Sequence, residues 1–181
     1  MKKLLIPALF SALIIGCSST PIPDETGGAP VESRSGSGSG VAPVVAGGLD
    51  SRGLPKELTD PKSMLSKRSV YFDLDSYEVK DEYKDLVAAH AKYLVNNRSF
   101  KMLIQGNTDE RGSREYNLAL GQKRAEAIKR SLTLLGAKED QLESVSLGEE
   151  KPKNPGRDES AWAENRRGDM LYKAADGRGE F

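Results

Sequence analysis

The sequence predicts an α+β domain, a β-α-β-α-β-β chain whose two helices cover one face of a small mixed sheet, behind a long disordered tether. Three observations carry that expectation. From Ser18 to about Lys67 the chain is rich in Pro, Gly and Ser with no sustained apolar period. Between Ser69 and Gly136, short strand-like runs alternate with two segments of helical period. Beyond Gly136, two further strand-like runs follow with no helical stretch of comparable length between them.

Taken in order, the first element is a leader. Lys2 and Lys3 precede an apolar run from Leu4 to Ile15 that is too short for a stable membrane span, so residues 1–16 read as an export signal. The chain's one cysteine, Cys17, follows Ile14-Ile15-Gly16 directly. This arrangement resembles the lipobox of bacterial lipoproteins, in which cleavage exposes the cysteine for acylation. Ser18 in the next position, in place of Asp, implies sorting to the outer membrane. Several acyl chains, each methylene contributing about 0.8 kcal/mol, would make the attachment persistent.

Residues 17–67 form the expected tether, including SGSGSG at 35–40. Such a composition cannot bury enough surface to offset its ordering entropy. A flexible chain of roughly 50 residues spans about 40 Å on average. Folded sequence is expected from about residue 68 to 173, with 174–181 as a tail.

In Val70-Tyr71-Phe72-Asp73-Leu74-Asp75 the apolar side chains alternate with polar ones, which predicts a strand ending in two carboxylates. A helix is expected over Asp81–Asn96 from the four, three and four spacing of Tyr83, Val87, His90 and Leu94. Lys101–Gln105 gives a second strand stopped by Gly106. Ser113 should cap a second helix that ends before Gly136, with an apolar stripe of Leu118, Ala125, Ile128, Leu132 and Leu135. Strands are expected over Ser144–Leu147 and Arg167–Tyr172, separated by a loop holding Pro152, Pro155 and Gly156.

Composition excludes several function classes. Lys and Arg total 27, as do Asp and Glu, so no basic field exists to hold nucleic acid. One cysteine and one histidine leave no disulfide framework and no zinc site of the usual kind, and no cofactor motif is present. Peptide cleavage needs a nucleophile with its base, or a metal. Glycan cleavage needs a carboxylate of raised pKa, whereas arginines crowd Asp109. A binder, not an enzyme, is the expectation.

The candidate site lies in GNTDERGSREYNLALGQKRA, residues 106–125. Asp109 sits in a turn after the second strand. Arg124 shares a helix face with Asn117 and Leu120, offset by about one residue from the apolar stripe, so it should border the core. An aspartate that accepts from an ammonium and an arginine that donates to a carboxylate complement a zwitterionic amino-acid group. Spacing alone leaves this reading level with a structural ion pair. His90, facing inward on the first helix, reads as a satisfied semi-buried histidine.

The run TDERGSREYNLALGQKRAEAIKRSL, with VYFDLDSYEV before it and SLGEEKP and AWAENRR after it, resembles the OmpA-like peptidoglycan-binding domain family over roughly residues 68–173. The resemblance implies binding of the peptide stem of peptidoglycan by its meso-diaminopimelate residue, with Asp109 taking the ammonium and Arg124 the carboxylate. It also implies a pocket completed by Leu74, Asp75 and Arg111, and a role in envelope integrity and cell division. Asn117 is a further candidate for the site, read first as a hydrogen bonder that fixes the loop and second as a ligand contact. Implied partners are the outer membrane, through acyl chains, and the periplasmic propeller protein of the Tol system. One position departs from the family's G-H-T-D: Asn107 replaces the histidine, keeping hydrogen bonding but not titration. A protein-interaction anchor, whose main ligand is a Tol-system protein, is the alternative role.

Overall fold

The computed structural model describes residues 48–181. The leader, Cys17 and most of the expected tether lie outside the described residues. Four strands, β1 (Ser69–Tyr71), β2 (Lys101–Asn107), β3 (Leu142–Gly148) and β4 (Arg167–Lys173), form one sheet in the order β1-β4-β2-β3. β4 runs antiparallel to both β1 and β2, while β2 and β3 are parallel, so the sheet is mixed as expected. Helices α1 (Lys56–Thr59), α2 (Lys84–Asn96), α3 (Arg114–Leu134) and α4 (Glu159–Asn165) complete the domain.

The apolar pattern decides which face of the sheet is covered. Met102 and Ile104 of β2 and Met170 and Tyr172 of β4 are spaced by two, hence project to one side, and there they join Val87, Ala91 and Leu94 of α2 and Ala125, Ile128 and Leu132 of α3 in one buried cluster. Ser113 caps α3 by accepting from the Tyr116 N–H, and Gly136 takes φ +97° just past the helix end, a conformation that favours glycine. His90 is fully buried. Its Nε2 lies 2.8 Å from the Lys67 carbonyl and therefore donates, leaving Nδ1 to accept from the Tyr172 hydroxyl at 2.8 Å. Burial pushes the imidazole pKa down to about 4, against a smaller opposing contribution from the Lys67 carbonyl.

Several boundaries differ from expectation. The first strand ends at Tyr71, because Asp73 to Asp75 turn away and Asp75 adopts φ 54°, a left-handed conformation that aspartate tolerates better than most residues. The second strand continues through Gly106 and Asn107. On α3, Leu118 and Leu135 are 52% and 50% exposed, and Leu120, Gly121 and Arg124 take the buried face with Ala125, Ile128 and Leu132. Leu135 lies past the last helical turn, and Leu118 points to the side of the face that meets the sheet. Within the expected proline-rich loop, Asp158 caps the short α4 by accepting from Ala161 N–H at 2.9 Å.

The ends of the described chain pack on the domain. Leu54 and Leu58 are buried in the core, so the packed domain includes residues before the expected limit at residue 67; each leucine contributes about 2 kcal/mol by burial. The expected tail also docks. The Glu180 carboxylate accepts from Tyr172 N–H at 2.9 Å, Arg68 at 2.5 Å and Arg52 at 3.2 Å, and Lys173 bridges to Gly179. Arg68 continues this fastening by donating to the carbonyls of Leu58 and Leu65. No helix among the described residues is long and apolar enough to cross a membrane.

Candidate functional site

The site is set by how closely α3 lies on β2. A Cβ built on Gly106 would stand 1.8 Å from the Gly121 carbonyl oxygen, and one on Gly121 would stand 2.8 Å from the Gly106 carbonyl oxygen. Helix and strand can approach this near only because both positions are glycine. One helical turn beyond Gly121, Arg124 is thereby brought against the end of β2. The pairing of β2 with β3 shifts register between Gly106 and Asn107, and Thr108 N–H donates to the Gly148 carbonyl, so the chain leaves the sheet into the Asp109 turn.

Arg124 is fully buried, further inside than a core-bordering position. Its Nε donates to Ser76 O at 2.7 Å, Nη1 to Asn107 O at 2.9 Å and Nη2 to Asp73 O at 3.1 Å, and its plane lies over the Phe72 ring at 5.2 Å. A guanidinium carries five N–H groups, so among the described residues one remains on each of Nη1 and Nη2. Burial pushes its pKa down to about 10, partly offset by the nearby Asp109 charge, so the group stays cationic at neutral pH.

Asp109 is buried as well and does not pair with Arg124. Its Oδ1 accepts from Arg111 N–H at 3.1 Å and Arg111 Nε at 3.3 Å; its Oδ2 accepts from Arg111 Nη2 at 2.8 Å and Arg166 Nη1 at 3.2 Å. Burial alone would raise the carboxyl pKa, but the hydrogen bonds from Arg111 and Arg166 outweigh it and hold Asp109 below the usual carboxylate value. Arg166 is itself fixed at three points, donating to Phe72 O and Glu159 as well as Asp109. Arg111 stacks on the Trp162 ring at 4.1 Å.

Leu74, Asp75, Thr108, Asp109, Arg111, Tyr116, Asn117, Leu120, Arg124 and Arg166 line a small, open cleft of about 30 Å³. All six residues singled out from the sequence meet there. Leu74 stands exposed on the rim. Asp75 accepts from the Tyr116 hydroxyl, and buried Asn117 donates to Glu149, fixing α3 to the loop after β3. Asn107 turns its amide to Gln105 O and Asp169, and only its backbone carbonyl serves Arg124. Sequence reasoning missed Arg166, Tyr116 and Thr108 as cleft residues. The buried Thr108 hydroxyl has no partner among the described residues, which suits a wall left open for a ligand.

Three guanidinium groups against the Asp109 and Asp75 carboxylates make the cleft complementary to a ligand that carries both a carboxylate and an ammonium, with carboxylate in excess. Among the described residues, no cluster of His, Cys, Asp and Glu could hold a metal ion.

The OmpA family matches residues 71–166 of the chain. A peptidoglycan-associated lipoprotein of Pseudomonas putida is 40% identical over 160 residues, 88% of this chain and 90% of the relative. A peptidoglycan-associated lipoprotein of Haemophilus influenzae is 48% identical over 104 residues, 58% of this chain and 68% of the relative. The crystal structure of the peptidoglycan-associated lipoprotein from Burkholderia pseudomallei shares 60% identity at a TM-score of 0.64, covering 65% of this chain and 99% of that one. The C-terminal domain of Helicobacter pylori MotB, 18% identical at a TM-score of 0.56 over 60% of this chain and 85% of that one, shares the fold.

Proposed function

Since the chain belongs to the OmpA family, we propose that it is an outer-membrane lipoprotein whose folded domain grips peptidoglycan without covalent chemistry. The diaminopimelate of the peptide stem is the group recognised, its ammonium at Asp109 and its carboxylate at Arg124. The observation that carries this reading is the shared cleft in which buried Arg124 keeps two N–H groups free beside an ionised Asp109. Acyl chains at Cys17 hold the membrane end. Many weak bonds then join membrane to wall, because copies on both surfaces raise the effective concentration for the next contact. The domain binds and does not cut.

A second partner, the periplasmic propeller protein of the Tol system, is supported by the apolar rim. Leu74 and Tyr116, which line the cleft, are each about half exposed, a pattern suited to a protein surface. A partner seated on that rim would exclude wall, so the two ligands compete.

Sedimentation with purified cell wall tests the reading. The parent protein should pellet with wall, and Asp109→Asn, folded by circular dichroism, should remain in solution. Raised salt should weaken pelleting moderately, because Arg124 is shielded from solvent. Equal pelleting of parent and variant would place the wall contact elsewhere, and steady release of soluble wall fragments would reveal hydrolysis.

A further inference from the structure

The four contacts on Asp109 have a consequence for the ligand. A carboxylate offers about four lone-pair positions. Arg111 occupies three of them, with its backbone N–H, Nε and Nη2, and Arg166 occupies the fourth. An incoming ammonium therefore finds the acceptor full, and one cation must leave. The two arginines are not equally able to do so. Arg166 is 7% exposed and tied to Phe72 O and Glu159. Arg111 is 32% exposed, and among the described residues its guanidinium makes hydrogen bonds to Asp109 alone.

A place for the displaced group already exists. The Arg111 guanidinium rests on the Trp162 face, and its Nη1 lies 3.5 Å from Oε2 of Glu159, whose other oxygen serves Arg166. A small slide along the indole would exchange Asp109 for Glu159 without exposing the stacked surface. We propose that Arg111 is a built-in competitor for the ligand ammonium. In the free protein it neutralises Asp109, and binding requires its transfer from Asp109 to Glu159, which lowers affinity and favours ligands with a true cation at that position. This rests on the assignment of Asp109 to the ammonium made above.

Calorimetric titration of the full chain with meso-diaminopimelate, and with pimelate as the same carbon chain lacking ammonium groups, tests the proposal. Arg111→Gln should bind meso-diaminopimelate more tightly, on the order of fivefold, the size of a partly exposed ion pair. Pimelate, which gains nothing from a freed Asp109, should not bind more tightly to that variant. Glu159→Gln should weaken meso-diaminopimelate binding in the parent and have no effect in the Arg111→Gln background. Unchanged or weaker binding of meso-diaminopimelate to Arg111→Gln overturns the competitor role, and if Asp109→Asn still abolishes binding the recognition site itself stands. A gain shared equally by pimelate also overturns it, as a general loosening of the cleft. If Asp109→Asn binds like the parent, both the site and the competitor fall together.

Discussion

Replacing Arg124 by alanine should do more than remove a ligand contact. The side chain donates three charge-assisted hydrogen bonds to carbonyls from two separate loops, those of Asp73 and Ser76 after β1 and that of Asn107 at the end of β2. A carbonyl left unpaired inside a protein costs about 1–3 kcal/mol. Asp73 and Ser76 lie in partly exposed surroundings where water can replace the guanidinium, so each belongs near the lower limit. Asn107 is buried and belongs nearer the upper. Together the three carbonyls come to about 4–5 kcal/mol, and lost packing over Phe72 adds to this. Arg124→Ala should therefore destabilise the domain by at least about 4–5 kcal/mol, a large part of the 5–15 kcal/mol typical of a domain. Urea unfolding followed by circular dichroism at pH 7 measures this directly, with the parent and Arg124→Lys alongside. Lysine can reach fewer of the three carbonyls and should fall between. A loss below about 1 kcal/mol for alanine would refute the reasoning, showing that these loops are held by something other than the arginine. The same number explains why Asp109→Asn is the cleaner probe of binding.

Other outcomes follow from the same geometry. His90, the chain's one histidine, has a folded pKa of about 4 against an ordinary 6.5, so the folded state resists a proton that the unfolded state accepts. Its contribution is complete above pH 6.5 and is lost as pH falls towards 4, amounting to about 3 kcal/mol at pH 4; urea midpoints of the parent should fall more steeply over that window than those of His90→Gln, and parallel profiles would count against the assignment. Gly106→Ala places a methyl carbon 1.8 Å from backbone that cannot yield, so thermal unfolding should show a loss of about 3 kcal/mol or more, or no folded protein. Glu180→Ala removes an acceptor shared by Arg52, Arg68 and Tyr172, and limited trypsin digestion should then cut at Lys56, Lys62 and Lys67 sooner than in the parent, with a stability loss of about 1–3 kcal/mol.

How much of this the sequence disclosed depends on whether a residue's environment is local. The Ser113 cap, the Gly136 stop and the inward stripe of α2 depend on neighbours a few positions away, and all three could be read. The buried face of α3 could not, because the approach of Gly106 to Gly121 determines it, and that contact joins residues 15 apart in sequence across two elements. Apolarity pointed to Leu118, whereas the close glycine contact buries Arg124. Leu54 and Leu58 escaped notice because two leucines among prolines and glycines carry no period. Asp109 and Arg124 stood out as a complementary pair. That Asp109 is held by Arg166, 57 residues further along, requires the return of β4 beside β1.

The docked tail has a mechanical meaning. Glu180 fastens Arg52 and Arg68 at the entrance to β1, while the cleft lies past the other end of that strand, where Arg124 grips the carbonyls of Asp73 and Ser76. Tension applied upstream of residue 48 and resisted at the cleft therefore runs lengthwise through β1. The hydrogen bonds between β1 and β4 then bear it together, in shear, and are not peeled open one at a time. The last residues of the chain act as a strain relief, like the clamp where a cable enters its plug, keeping a pull on the segment before residue 48 from being felt first by the core.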